Sequence, residues 1–140
     1  MLINQRTGEI VAQHVEIADT RATRRRGLLG RDSLGASSAL MLSPCFAVHT
    51  AFMRFPIDVV FVDGEGRAVR IVRDLTPWRI AGAWGAQRVF ELPAGELRGR
   101  DVRVGDRLYL EAAGAAGAAS SSSPVESLRR TASKPACSGS

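Results

Sequence analysis

A mostly β, compact single domain of barrel or sandwich type, with one or two short helices, is the fold that the sequence predicts. Two observations carry this. Six to eight short runs rich in Val, Ile, Leu and Phe alternate with turn clusters such as Asp63-Gly64-Glu65-Gly66 and Pro93-Ala94-Gly95. Runs of that length, bounded by turn residues at short spacing, read as strands of a barrel or sandwich. Long amphipathic helical patterns between the strands are missing, so a βαβ architecture is not expected.

Taken in order, Leu2 to Asn4 and Glu9 to Ile17 flank Gln5-Arg6-Thr7-Gly8 and form an opening hairpin, with Val11, Val15 and Ile17 on one face. Asp19-Thr20 offers an N-cap for a short helix ending near Leu29, where Gly27 and Gly30 weaken it. Ala39 to Leu42 is a brief apolar strand before Ser43-Pro44, and Cys45 to Met53 is extended. Pro56 fixes its own φ and holds Phe55 extended, making a corner into the strongest strand, Ile57 to Val62. Both faces of that strand are apolar, so it belongs inside a sheet. Ala68 to Val72 returns as its hairpin partner, and Leu75 to Gln87 reads as a long loop whose Trp78 and Trp84 either cover the core, which is the expectation, or line a groove. Arg88 to Leu92 is a strand, Glu96 to Gly99 at most one helical turn, and Arg107 to Glu111 the last strand, with Leu108 and Leu110 inward. Leu28, Met53, Val59, Phe61, Val89, Phe90, Leu108 and Leu110 are expected in one core.

The 140 residues divide by composition. Residues 1–111 are those of a globular domain, whereas 112–140 open with Ala and Gly, continue with four serines and carry few large apolar side chains. A stretch that buries so little cannot offset its ordering entropy, so 112–140 is expected to be a disordered tail. Cys45 and Cys137 fall on opposite sides of that boundary, and the expectation for Cys45 is a buried or half-buried free thiol. No basic-then-apolar leader and no spanning apolar run occurs, which predicts a cytoplasmic protein with no membrane span. Residues 1–111 hold 16 arginines against 13 carboxylates, a mild excess, so nucleic acid is not the expected partner.

Chemistry concentrates near Asp58, a carboxylate on an otherwise apolar strand. Burying it costs several kcal/mol, on the order of the penalty for an ion, unless a cation or several N–H donors satisfy it. The readings for Asp58 are a cap on a neighbouring turn or an ion pair, and the expected partner is an arginine from the Arg26–Arg31 turn or Arg54, with His49 nearby and Glu91 as a further member of the polar cluster. Arg21, Arg24 and Arg25 share a helix face at i, i+3 and i+4 and are the anion-binding candidates. His14 and His49 are isolated and no Cys-x-x-Cys occurs, so neither a metal nor another cofactor is expected. Phosphate loops, dinucleotide fingerprints and a Gly-x-Ser-x-Gly are likewise missing.

Arg-Gly-Leu-Leu-Gly-Arg at 26–31, His-Thr-Ala-Phe-Met-Arg-Phe-Pro-Ile-Asp at 49–58, Phe-Val-Asp at 61–63, Glu-Leu-Pro-Ala-Gly at 91–95 and Val-Gly-Asp at 104–106 occur in that order. Together they resemble the bacterial and archaeal domain of unknown function 192. The resemblance covers nearly all of 1–111 and implies a compact, mostly β, barrel-like domain with no established activity. It also implies an accessory role near pilus-assembly or secretion components. The chain departs from the exported pattern in lacking a leader, and has His-Thr-Ala-Phe-Met-Arg where many relatives carry Trp-Met-Lys-Asn.

Three functional readings follow. The first is a non-enzymatic binding or accessory domain for a protein or small ligand. The second is an enzyme using a polar pocket at Asp58. The third is an anion or nucleic-acid binder using the Arg21–Arg31 basic helix.

Overall fold

The computed structural model describes residues 1–112, and the expected tail lies outside the described residues but for its first position. Ten strands and one helix follow in order: β1 Leu2–Asn4, β2 Ile10–Ala12, β3 His14–Ala18, α1 Arg21–Arg26, β4 Ser38–Leu42, β5 Ala47–His49, β6 Ile57–Val62, β7 Ala68–Leu75, β8 Ile80–Gly82, β9 Arg88–Pro93 and β10 Leu108–Leu110. The fold is mostly β, as the sequence predicts. It is built of three open sheets rather than a closed barrel: β10-β1-β2, β3-β4-β9-β6-β7 and the ribbon β5-β8.

β6 occupies the place its composition demands. All six of its residues are buried, and β9 and β7 hydrogen-bond to it antiparallel on either side. Alternation sends Ile57, Val59 and Phe61 to one apolar cluster, with Leu28, Leu42, Met53 and Val89. Val60 and Val62 go to a second cluster, with Leu2, Met41, Phe90, Leu92 and Leu108. The expected single core is therefore two cores, one on each face of the five-stranded sheet, because consecutive residues such as Val89 and Phe90 must point to opposite sides.

The opening hairpin forms between β1 and β2, but the second arm breaks at Gln13. From His14 the chain joins the large sheet parallel to β4, so Ile17 ends 52% exposed instead of sharing a buried face with Val11. Residues 19–37 make the crossover between these parallel strands and contain α1, so one βαβ connection stands where none was expected. A crossover of that length is what parallel pairing requires. Thr20 caps α1 reciprocally with Thr23, and Gly27 ends it at a positive φ of 46°.

Two further differences concern the chain beyond β4. The stretch 75–87 is not a structureless loop, since β8 within it pairs with β5. Cys45 is buried as expected, but it is disulfide-bonded and not a free thiol. Among the described residues no helix is long and apolar enough to cross a membrane.

Candidate functional site

Asp58 sits where β7 bulges. Ile57 faces Leu75 and Val59 faces Val72, so Asp58 lies opposite the extra residue of the bulge, at Arg73 and Asp74. Its Oδ1 accepts from the Asp74 amide at 2.9 Å, and its Oδ2 accepts from the amides of Gly95 and Leu97, both at 3.1 Å. Gly95, whose N–H meets the carboxylate, adopts a φ of 92°, a conformation that glycine takes without strain. Three backbone donors thus replace the expected arginine, and both oxygens are engaged in a side chain only 1% exposed.

The other members of the expected cluster disperse. Arg31 pairs with Glu16 at 2.7 Å and Arg54 with Asp32 at 2.6 Å, while Arg26 is exposed on the last turn of α1. Glu91 is fully buried, but it faces Val59 in the ladder while Asp58 faces Leu92, so the two carboxylates occupy opposite faces of the sheet. His49 is half-buried at the end of β5. On α1, Arg24 donates to the carbonyls of Asp19 and Ser43, which withdraws it from the shared face with Arg21 and Arg25. Among the described residues no group of three or more His, Cys, Asp or Glu side chains could hold a metal ion.

Other aspartates repeat the behaviour of Asp58. Asp63 Oδ1 accepts from the amides of Glu65 and Arg67, closing the β6–β7 turn. Asp106 joins the two ends of the domain: it accepts from Arg6 at 2.7 Å, Asn4 at 2.8 Å and the Arg103 amide at 2.9 Å. The Arg6 hydrogen bond, followed by the Arg103 amide and Asn4, holds the Asp106 carboxyl down at about 2. Next to it, Arg103 and then Arg6 lower Asp101. Burial lowers the Arg88 guanidinium, which donates to the Gly64 carbonyl at 3.1 Å. These motifs fix turns and strand ends.

A different surface carries the features of a contact site. The ribbon β5–β8 turns Val48 and Ala81 into the core, leaving Ala47, His49, Ile80 and Gly82 outward, with His49 opposite Ile80. A Cβ on Gly82 would lie 3.1 Å from that of Ala47, so glycine lets the strands approach. Beyond the ribbon, buried Thr50 ties two loops together. Its Oγ1 donates to the Thr76 carbonyl at 2.6 Å and accepts from the Arg79 amide at 2.8 Å, while its carbonyl accepts from the Trp78 amide.

That anchoring holds Phe52 and Trp78 at positive φ, 64° and 67°, a conformation costly for bulky side chains. The two rings meet edge to face with centroids 4.6 Å apart. Both remain in solvent: Phe52 is 71% exposed, Trp78 65%, Ile80 81%, and Trp84, in the turn after β8, 98%. The expectation that the tryptophans cover the core is overturned, because the ribbon itself closes the core with Val48 and Ala81.

The family model DUF192, described as an uncharacterised ACR, matches residues 2–110. The chain belongs to this family. A UPF0127 protein of Thermococcus sibiricus is 31% identical over 135 residues, covering 93% of this chain and 86% of the relative. Another UPF0127 protein, from Thermococcus gammatolerans, is 34% identical over 112 residues, covering 76% and 72%. The fold is similar to that of a protein of unknown function from Novosphingobium aromaticivorans, with a TM-score of 0.66, 21% identity, and coverage of 78% of this chain and 83% of that one. It is also similar to a proposed transcription regulator from Sinorhizobium meliloti, with a TM-score of 0.65, 24% identity, and coverage of 76% and 88%. The description of the DUF192 family names no activity.

Proposed function

We propose that this DUF192 protein is a binding module rather than an enzyme, and that its contact surface is the ribbon β5–β8 with the loops that flank it. One observation carries the reading: the fold holds Phe52 and Trp78 at a strained positive φ and leaves both in water. Folding gains almost no burial from those side chains, while the strain costs about 1–3 kcal/mol each. Contiguous exposed apolar groups of this kind mark interaction sites. The partner must offer apolar surface and tolerate cations. The chain has no carboxylate between Asp32 and Asp58 or between Asp74 and Glu91, whereas Arg54, Arg79 and Arg88 lie in those stretches.

The enzyme reading at Asp58 loses its reactive group, since both carboxylate oxygens accept backbone hydrogen bonds out of solvent. The basic-helix reading keeps Arg21, Arg25 and Arg26 exposed, but Arg24 and Arg31 are committed elsewhere. The narrower role beside pilus-assembly or secretion components rests on the family resemblance alone.

Anilinonaphthalene sulfonate, an apolar anion that fluoresces on leaving water, tests the reading on the folded chain. Saturable fluorescence is expected with the wild type and not with Phe52→Ser/Trp78→Ser, whose melting temperature should be no lower. Equal fluorescence from both proteins would refute the surface assignment.

A further inference from the structure

We propose that the β5–β8 ribbon docks on an anionic lipid surface, its exposed aromatic and aliphatic side chains entering the interface while neighbouring arginines meet the headgroup phosphates. This rests on the reading of the ribbon as the contact surface and names what covers it. Two observations select a lipid surface.

The first is shape. Phe52, Trp78 and Ile80 stand out at one end of the ribbon and Trp84 at the turn beyond the other, and Ile80 and Trp84 expose 81% and 98% of their area. Side chains standing clear of the fold at turns suit a deformable medium, whereas a folded protein partner would need a separate pocket for each. Indoles favour the membrane–water boundary, where the ring lies among acyl chains and the N–H stays wet. An aliphatic Ile80 beside them adds nothing to the stacking on which single-stranded nucleic acid depends, but it does partition into lipid.

The second observation is charge. Arg79 lies between Trp78 and Ile80 in sequence and is exposed. The Arg70 guanidinium donates to the Gly82 carbonyl at 2.6 Å, which pins a cation on the ribbon two residues before Trp84. Arg54 follows Phe52 by two residues, with Asp32 as its counter-charge. The segments that build the ribbon carry no carboxylate of their own, so an approaching anionic surface meets Arg70 and Arg79 along them, while Arg54 is already paired with the exposed Asp32. Apolar side chains with cations close behind are the arrangement by which a protein lies on a membrane without crossing it.

Sedimentation of the full chain with vesicles tests this. Vesicles of phosphatidylcholine alone are compared with vesicles of equal parts phosphatidylcholine and phosphatidylglycerol, with tryptophan emission followed in parallel. The wild type should pellet with the mixed vesicles, shift its emission to the blue, and pellet less as salt rises. Ile80→Ser/Trp84→Ser keeps every cation of the chain, yet should lower partitioning on the order of a hundredfold, about tenfold per side chain withdrawn from the interface. Its melting temperature should be unchanged. Arg70→Ala/Arg79→Ala should lose the preference for phosphatidylglycerol and keep weak binding to neutral vesicles. Failure of the wild type to pellet, equal pelleting of Ile80→Ser/Trp84→Ser, or tighter binding to a single-stranded polynucleotide than to the mixed vesicles would overturn the proposal. If the wild type binds the sulfonate dye but no vesicle, the contact surface stands and lipid falls.

Discussion

Replacing Asp58 by asparagine isolates the value of the carboxylate at the β7 bulge. The side chain keeps its shape but loses one acceptor and gains a donor. The least costly orientation leaves the amide oxygen on the Gly95 and Leu97 amides, which places the new NH2 group against the Asp74 amide, now 2.9 Å from Oδ1. One charge-assisted hydrogen bond is lost, worth about 1.5–3 kcal/mol, and two more become neutral and weaker. Water can reach the Asp74 end, since that residue is exposed, which recovers part of the loss. The expected cost is roughly 3 kcal/mol, or about 10 °C in melting temperature for a domain of this size. Urea denaturation should give a lower midpoint with an unchanged slope, and hydrogen exchange should quicken at Gly95 and Leu97 before the rest of β9. A melting shift below about 2 °C would refute the view that these three amides need a charged acceptor.

Three other outcomes are expected. Asp106 has a carboxyl pKa depressed in the folded state, so its stabilisation is complete above the unfolded value near 4 and is lost as pH falls through about 2. Thermal melts across that window should lose on the order of 1 kcal/mol after allowance for solvent screening, and Asp106→Asn should flatten this part of the profile. Phe61→Ala empties a fully buried site in the first core and should cost roughly 3–5 kcal/mol by chemical denaturation, with a loss under 1 kcal/mol contradicting the packing. Trp78→Gly removes an exposed side chain from a positive φ, so stability should rise by about 0.5–1 kcal/mol while dye binding falls, and a lower melting temperature would contradict the strain argument.

The fold was legible wherever local chemistry and global packing agree. β6 could be read from its all-apolar composition and the Pro56 corner, and α1 from its Thr20 cap and its glycines. The partner of Asp58 was not legible, because amide donors come from backbone whose direction is set by a bulge and a positive φ that residue identity does not encode. The burial penalty correctly demanded donors, but no pattern distinguished an arginine from a turn 37 residues away. The exposed face of the β5–β8 ribbon was missed for another reason. Val48 and Ala81 are ordinary core residues, and nothing local said that two three-residue strands would seal the core and push Trp78 and Trp84 outward. The available signal was a pair of tryptophans in stretches without carboxylates.

The pairing of β1 with β10 gives the domain a mechanical direction. Leu2 lies opposite Leu110 and Asn4 opposite Leu108, and the Met1 ammonium donates to the Glu111 carbonyl. Both ends of the described domain therefore leave from the same end of one short antiparallel ladder. Tension applied between them would load the hydrogen bonds one at a time, as in a zipper, instead of shearing them together. The Asp106 cluster with Asn4 and Arg6 stands at the far end of that ladder, where it would meet the force last. A load pulling on the two ends should peel the small sheet open at low force and stop at this clasp, leaving the five-stranded sheet and the ribbon intact.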